Sequence, residues 1–275
     1  MGVARRASSL SRAVVLNTML FHKIRRLGLG LSAVFFACQA QAADIRILTA
    51  GAFKPVLLAV QPAFEAHSGH RLLIDNDTAG GLQKRVVSGE AFDLVVSSPA
   101  SLVAMQRAGK IASRAPIELA RVSIGLAVPP GAAVPDISTV AQFQQVLKLA
   151  RRVAYIDPDA GGSSGIYLDG LFARWGMRED IRAKAILVKG GLVAKHLLDG
   201  SADVAIHQIS EIKAVPGVTL VGPIPADIQN HTVYAAATPP GEFAQPVQDL
   251  LKFLTSPDRV PLLQDKGMEP VVISR

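Results

Sequence analysis

Five short segments of this sequence combine small residues with hydroxyl, cationic or imidazole groups, and each stands where a strand-like run gives way to a helix. The first, Thr49-Ala50-Gly51-Ala52-Phe53-Lys54, lets backbone N–H groups approach a ligand and sets the Lys54 charge beside a helix start. The second, Asn76-Asp77-Thr78-Ala79-Gly80-Gly81, offers one hydroxyl and a nest of amides suited to a carboxylate or a tetrahedral oxyanion. In the third, Asp157-Pro158-Asp159-Ala160-Gly161-Gly162-Ser163-Ser164-Gly165, the adjacent hydroxyls either cap the next helix or hold an anion at its N-terminus. Lys189-Gly190-Gly191 is the fourth. The fifth, His207-Gln208-Ile209-Ser210-Glu211, puts an imidazole where an apolar residue would otherwise end a strand. Plainer readings stand beside these: Lys54 solvated at an ordinary turn, Gly-Gly as a turn marker, His207 as a satisfied structural histidine.

Several chemistries are set aside by what the segments lack. The P-loop spacing Gly-x4-Gly-Lys-[Ser/Thr] does not occur, nor does a His-x-x-x-His zinc helix or a Gly-x-Ser-x-Gly nucleophile elbow. His67 and His70 flank a turn, His196 falls within a helix and His231 lies near a crossover. No motif calls for a metal or a cofactor.

The elements that must position these segments are short runs rich in valine and isoleucine, at 45–49, 71–74, 93–97, 122–128, 152–156, 185–188 and 204–207. Most are followed by segments of helical period. After the first, Lys54-Pro55 opens a helix whose Val56, Val60 and Phe64 recur at i, i+4 and i+8. Further helices are expected near Gly81, Ala100, Thr139, Gly165 and Leu192, and at 243–255 and 257–266. Alternation of this kind predicts an α/β protein with parallel sheets covered on both faces. Two strand-like segments, 122–128 and 232–237, run into Pro129-Pro130-Gly131 and Pro239-Pro240-Gly241. They are expected to be the crossover hinge strands of a two-lobed molecule, with residues 43–125 plus 233–275 in one lobe and 126–232 in the other. The cleft between two such lobes is a usual ligand site.

The chain has 275 residues, 49% hydrophobic and 19% charged, which excludes disorder and coiled coil. Its net charge of +7 invites a nucleic-acid partner, but six of the 29 basic residues fall in residues 1–42, which hold no acidic residue. The remainder is nearly neutral, so no nucleic acid is expected. The basic leader, an apolar run at 27–37 and Ala40-Gln41-Ala42 read as a secretory signal peptide cleaved after Ala42. Met19 begins a complete signal of ordinary length, so translation from Met1 and from Met19 both stay open. The run is too short to span a membrane. Cys38, the single cysteine, falls inside the leader, and without it the exported chain has no thiol, as suits a periplasmic protein.

Over residues 43–275 the order of segments resembles the periplasmic molybdate-receptor family of type II solute-binding proteins. The matching stretches are 45–54, 82–96, the Asp157-Pro158 loop with Gly165-Ile166-Tyr167, and 204–211. The resemblance implies the two-lobed fold. In that family a serine in each of the first two loops and a tyrosine after the fifth strand hold the oxyanion; here those positions correspond to Ala52, Ala79 and His207. Lys54, Lys189 and His207 in their place suit an organic polycarboxylate. The Thr-Ala-Gly-Gly and Gly-Gly-Ser-Ser-Gly-Ile-Tyr loops are similar to the branch of this superfamily that includes aconitate isomerase. That similarity implies an isomerase that interconverts trans- and cis-aconitate by a 1,3-allylic proton shift. His207 would be the base and Glu211 would orient it. The tricarboxylate would be held by Ala52, Lys54, Thr78, Ala79, Gly80, Gly162, Ser163, Ser164, Lys189 and Gly190. The alternative is a passive receptor delivering a small anion to an ABC permease, since fold alone does not choose between them.

Overall fold

A computed structural model describes residues 42–242 and 244–271. The leader with Cys38, and Phe243 at the expected start of a late helix, lie outside the described residues. In chain order the elements are β1 (Asp44–Ala50), α1 (Lys54–Ser68), β2 (Arg71–Asp77), α2 (Ala79–Val87), β3 (Leu94–Ser97), α3 (Pro99–Arg107) and β4 (Ile117–Val128). There follow α4 (Val140–Leu149), β5 (Val153–Ile156), α5 (Ser163–Arg174), α6 (Arg178–Arg182), β6 (Ala185–Val188), α7 (Lys195–Leu198) and β7 (Val204–Gln208). The chain closes with α8 (Ile209–Lys213), β8 (Thr219–Pro223), β9 (His231–Ala237), α9 (Gln245–Leu254), α10 (Val260–Asp265) and β10 (Glu269–Pro270). Among the described residues no helix is long and apolar enough to cross a membrane.

The α/β class is as expected, but the sheets are not purely parallel. β2, β1 and β3 pair in parallel, as do β6, β5 and β7, whereas β9 runs antiparallel to β3 and β4, and β4 runs antiparallel to β7 and β8. A strand followed by a covering helix returns parallel. The central antiparallel pairs are made by β4 and β9 with each other and with β3 and β7, partners that are remote in sequence. β4 is twelve residues long and changes partners midway: Ile117 to Ser123 pair with β9, and Ile124 to Val128 pair with β7 and β8. At the changeover the side chain of Gln229 substitutes for a neighbouring strand. Its carboxamide accepts from the Ile124 N–H and donates to the Ile124 carbonyl, each at 2.9 Å. Buried backbone groups need partners, which is the physical reason for a glutamine at this point.

The core follows the same division. Phe53, Val56, Val60 and Phe64 of the first turn and α1 join β1, β3, β9, α9 and α10 in one apolar cluster. β5 alternates between two others, with Val153 and Tyr155 facing one and Ala154 and Ile156 facing the other, the period of a strand covered on both sides. Helix α1 bears out the spacing argument: Val56, Val60 and Phe64 are buried, and it ends at Gly69 in the left-handed region (φ +74°). The helix expected at Leu192 is only the single turn α7, and β8, α6 and α8 were not legible as elements.

Candidate functional site

The ends of β1, β2, β5 and β7, with Tyr234 midway along β9, line a common cavity. Each of the five segments reaches it or its rim. Ala52, Thr78, Ala79, Gly162, Ser163, Ser164, His207 and Glu211 line it, as expected from the sequence. Gly80 does not. Its N–H instead donates to the Gly161 carbonyl at 3.0 Å, while the Thr78 hydroxyl donates to the Ala160 carbonyl at 2.5 Å, so the second and third segments are stitched together. A Cβ on Gly80 would stand 2.8 Å from the Gly161 Cα, so this approach requires glycine. Lys189 and Gly190 also lie outside the lining, which takes Gly191 from that segment. Lys54 borders an adjoining depression, its ammonium donating to Asn76 Oδ1 at 2.5 Å.

Ser163 and Ser164 are not caps. The N-cap of α5 is Gly162, with no side-chain capping bond, so the serines begin the first helical turn, and all three residues line the cavity. The positive end of a twelve-residue helix thereby opens on the site, a ready acceptor of carboxylate charge. By contrast α2 is capped by Thr78, whose hydroxyl oxygen accepts from the Gly81 N–H at 3.0 Å.

His207 is placed by β7, where it follows Ala205 on the same face, and Glu211 by the single turn α8 that begins at once after the strand. Both are buried. Glu211 Oε2 lies 2.9 Å from His207 Nδ1, and the Gln208 N–H also donates to that nitrogen at 2.8 Å. One nitrogen cannot accept from an amide and donate to a carboxylate at once. The pair therefore has two arrangements, with its proton on Nδ1 facing a Glu211 carboxylate, or on Glu211 with Nδ1 accepting. In both, His207 Nε2 is buried and has no protein partner, leaving it as the ring nitrogen for a ligand. Glu211 is held in place from behind: a Cβ on Gly51 would be 2.5 Å from its Oε1. The same end of α8 is tied to the first segment by Ser210, whose hydroxyl donates to the Ala52 carbonyl at 2.8 Å.

Sequence reasoning missed Tyr234, and it named Asn76, Asp77 and Gln208 within the second and fifth segments without giving them a role, although all four line the cavity. Tyr234 is buried on β9; its environment, and next the Glu211 charge, pushes the phenol well above its ordinary range, partly offset by the Ser163 hydroxyl. The phenol thus stays a neutral O–H donor beside both groups. A tyrosine preceding three alanines in a crossover strand was the available signal. Asp77 accepts from the Thr78 N–H at 2.7 Å. Among the described residues the lining contains no lysine or arginine; its charged side chains are Asp77, Glu211 and, when protonated, His207. Among the described residues no group of three His, Cys, Asp or Glu side chains converges as metal ligands would.

Two α/β sheets sharing a long strand, with an amide-lined cavity where the loops meet, define a solute-binding architecture. The chain belongs to the bacterial extracellular solute-binding protein family, whose family model matches residues 45–269. It is 30% identical over 262 residues to an aconitate isomerase from Pseudomonas sp., a match covering 92% of this chain and 98% of that protein. Its fold is similar to the periplasmic molybdate-binding protein of Azotobacter vinelandii, with a TM-score of 0.66, 18% identity, and 82% of this chain and 98% of that one covered. A tungstate-binding protein from Desulfovibrio alaskensis matches with a TM-score of 0.57, 14% identity, and 84% and 99% covered.

Proposed function

We propose that this protein interconverts trans- and cis-aconitate in the cavity at His207. The observation that carries the reading is the buried His207–Glu211 pair at the cavity lining, whose Nε2 has no protein hydrogen-bond partner, beside the first turn of α5 and Tyr234. The relative named an aconitate isomerase, matched over nearly its whole length, supports it. In the proposed step Nε2 removes a proton from the methylene carbon of the substrate. The C–H electron pair enters the allylic system, and the neighbouring carboxylate takes up the charge as a dienolate. The two arrangements of the His207–Glu211 pair then correspond to the states before and after proton removal. The same proton returns at the far allylic carbon, and the double bond has moved by one position with no net oxidation. The first amides of α5, with Ser163, Ser164 and the Tyr234 O–H, stabilise the developing charge. Thr78, Ala79 and Ala52 bound the substrate, the two alanine methyls excluding the hydroxyl donors of the molybdate-receptor pattern. Lys54 would serve a carboxylate at the rim; Gly80 serves indirectly through the Gly161 contact, and Lys189 and Gly190 would need a loop rearrangement to reach a ligand.

On this reading the two sheets are the two lobes, 43–125 with 233–275 and 126–232, and the chain is exported to the periplasm. Family membership favours one alternative, a receptor passing a small anion to an ABC permease. The ultraviolet absorbance of trans-aconitate incubated with purified protein decides between them. Isomerisation by the wild type and its loss in His207→Gln, with tricarboxylate binding retained by calorimetry, supports the enzyme. Tight binding without turnover in the wild type leaves the receptor.

A further inference from the structure

Gly51, Asn76 and Glu211 line not only the His207 cavity but also a second depression on their other side, with about 1380 Å³ of empty volume. The two spaces share this wall, and the consecutive residues Gly191 and Leu192 face one space each. Their charges contrast. The inner lining has two carboxylates and no lysine or arginine, an unfavourable field for a polyanion approaching from solution. Lys54, Lys213 and Lys266 all border the outer depression, against the carboxylates of Asp265 and the shared Glu211.

Their pairing leaves positive charge over. Lys266 pairs with Asp265 at 2.9 Å, and Glu211 faces His207 on the inner side. Among the described residues the hydrogen bond of Lys54 is to the neutral Asn76, with the charge of Asp75 also within its field, and Lys213 forms no ion pair. Lys213 is also positioned by packing. Gly267, in the left-handed region at φ +74°, approaches so closely that a Cβ there would be 3.0 Å from Lys213 Cδ and 2.8 Å from Ile209 Cγ2. Hydrogen bonding to Lys266, and then the charges of Lys266 and Lys213, hold the Asp265 carboxyl below its ordinary range, as a cationic surround should.

We propose that this depression is an outer binding site for a small polycarboxylate, which docks on Lys54, Lys213 and Lys266 before passing the Gly51–Asn76–Glu211 wall into the His207 cavity. The identity of the ligand rests on the isomerase reading; the existence of a cationic antechamber does not. A field of this kind raises the local concentration and the association rate of an anion, and it weakens with salt because charges beyond about 8 Å are screened at physiological ionic strength.

The test uses two probes, trans-aconitate for turnover and propane-1,2,3-tricarboxylate, which has no double bond to move, for association kinetics. Lys213→Gln/Lys266→Gln and the conservative Lys213→Arg/Lys266→Arg are compared with wild type across a range of ionic strength. The expected result is an association rate for propane-1,2,3-tricarboxylate lowered about tenfold at low salt in the glutamine variant, with a flattened salt dependence, and near-wild-type behaviour in the arginine variant. An association rate and salt slope unchanged in the glutamine variant overturn the outer site, even if trans-aconitate is isomerised normally. Lysine-dependent association with no isomerisation by the wild type overturns the isomerase reading and keeps the outer site. No tricarboxylate binding under any condition overturns both.

Discussion

Replacing Gly51 by alanine displaces Glu211 from His207, and comparison with Glu211→Gln separates that effect from the space the new methyl takes up. Gly51 has no positive φ, so the backbone accepts alanine without strain, and the atom its Cβ meets is the end of a flexible side chain. That Cβ would lie 2.5 Å from Glu211 Oε1, whereas an ordinary contact is about 3.4 Å or more, so the carboxylate must retreat by about 1 Å. The contact of Glu211 Oε2 with His207 Nδ1 is now 2.9 Å; a retreat of that size along its direction takes it beyond hydrogen-bonding range. A hydrogen bond involving a charged group contributes about 1.5–3 kcal/mol, and each 1.36 kcal/mol is tenfold in rate. Gly51→Ala is therefore expected to lower kcat for trans-aconitate by about 10- to 150-fold, with little change in melting temperature. Glu211→Gln should lose a comparable amount without moving the backbone. Absorbance kinetics and thermal unfolding on the two variants check this. Turnover within twofold of wild type in Gly51→Ala would refute the idea that Glu211 supports the imidazole.

Three other outcomes are expected. Tyr234→Phe removes one neutral donor from the cavity and should lower kcat by about 100-fold while tricarboxylate affinity in calorimetry changes far less. Gln229→Ala leaves both polar backbone groups of Ile124 without their side-chain partner and should destabilise the fold by about 1–3 kcal/mol in urea unfolding. Tyr155, whose hydroxyl is buried without a partner, has a phenol pushed up to about 12 by burial and then by the Asp169 charge. Since the unfolded phenol titrates near about 10, its neutral form favours the native state below that pH, and stability falls as pH rises from there toward 12. Tyr155→Phe should make alkaline unfolding shallower over that window.

The strands were legible because buried β runs are short, branched and bounded by turn residues, and β6 at Ala185–Val188 coincides with its expected bounds. The antiparallel centre was not, because strand direction is set by what connects the strands in space, and no local periodicity records it. Short elements such as α8 carry too few residues to display a helical period. At the site, glycine-rich segments and His207 stood out by residue type, while Tyr234 reads as one more core aromatic until β9 is placed against β4. Lys189 marks the opposite failure: a charge beside a Gly-Gly turn looks like a ligand group, yet it is exposed and away from the lining.

The difference between holding an anion and moving its proton then reduces to a small part of the molecule. Amides at a helix N-terminus bind a carboxylate without exchanging a proton with it, so they serve receptor and isomerase equally. What proton transfer requires in addition is a group such as the imidazole of His207, whose Nδ1 faces Glu211 and whose Nε2 has no protein partner. A neutral structural histidine would be expected to satisfy both nitrogens within the protein. On the isomerase reading, proton transfer needs only the arrangement at the end of β7, which is built from one strand terminus, one helical turn and the glycine that leaves room for Glu211.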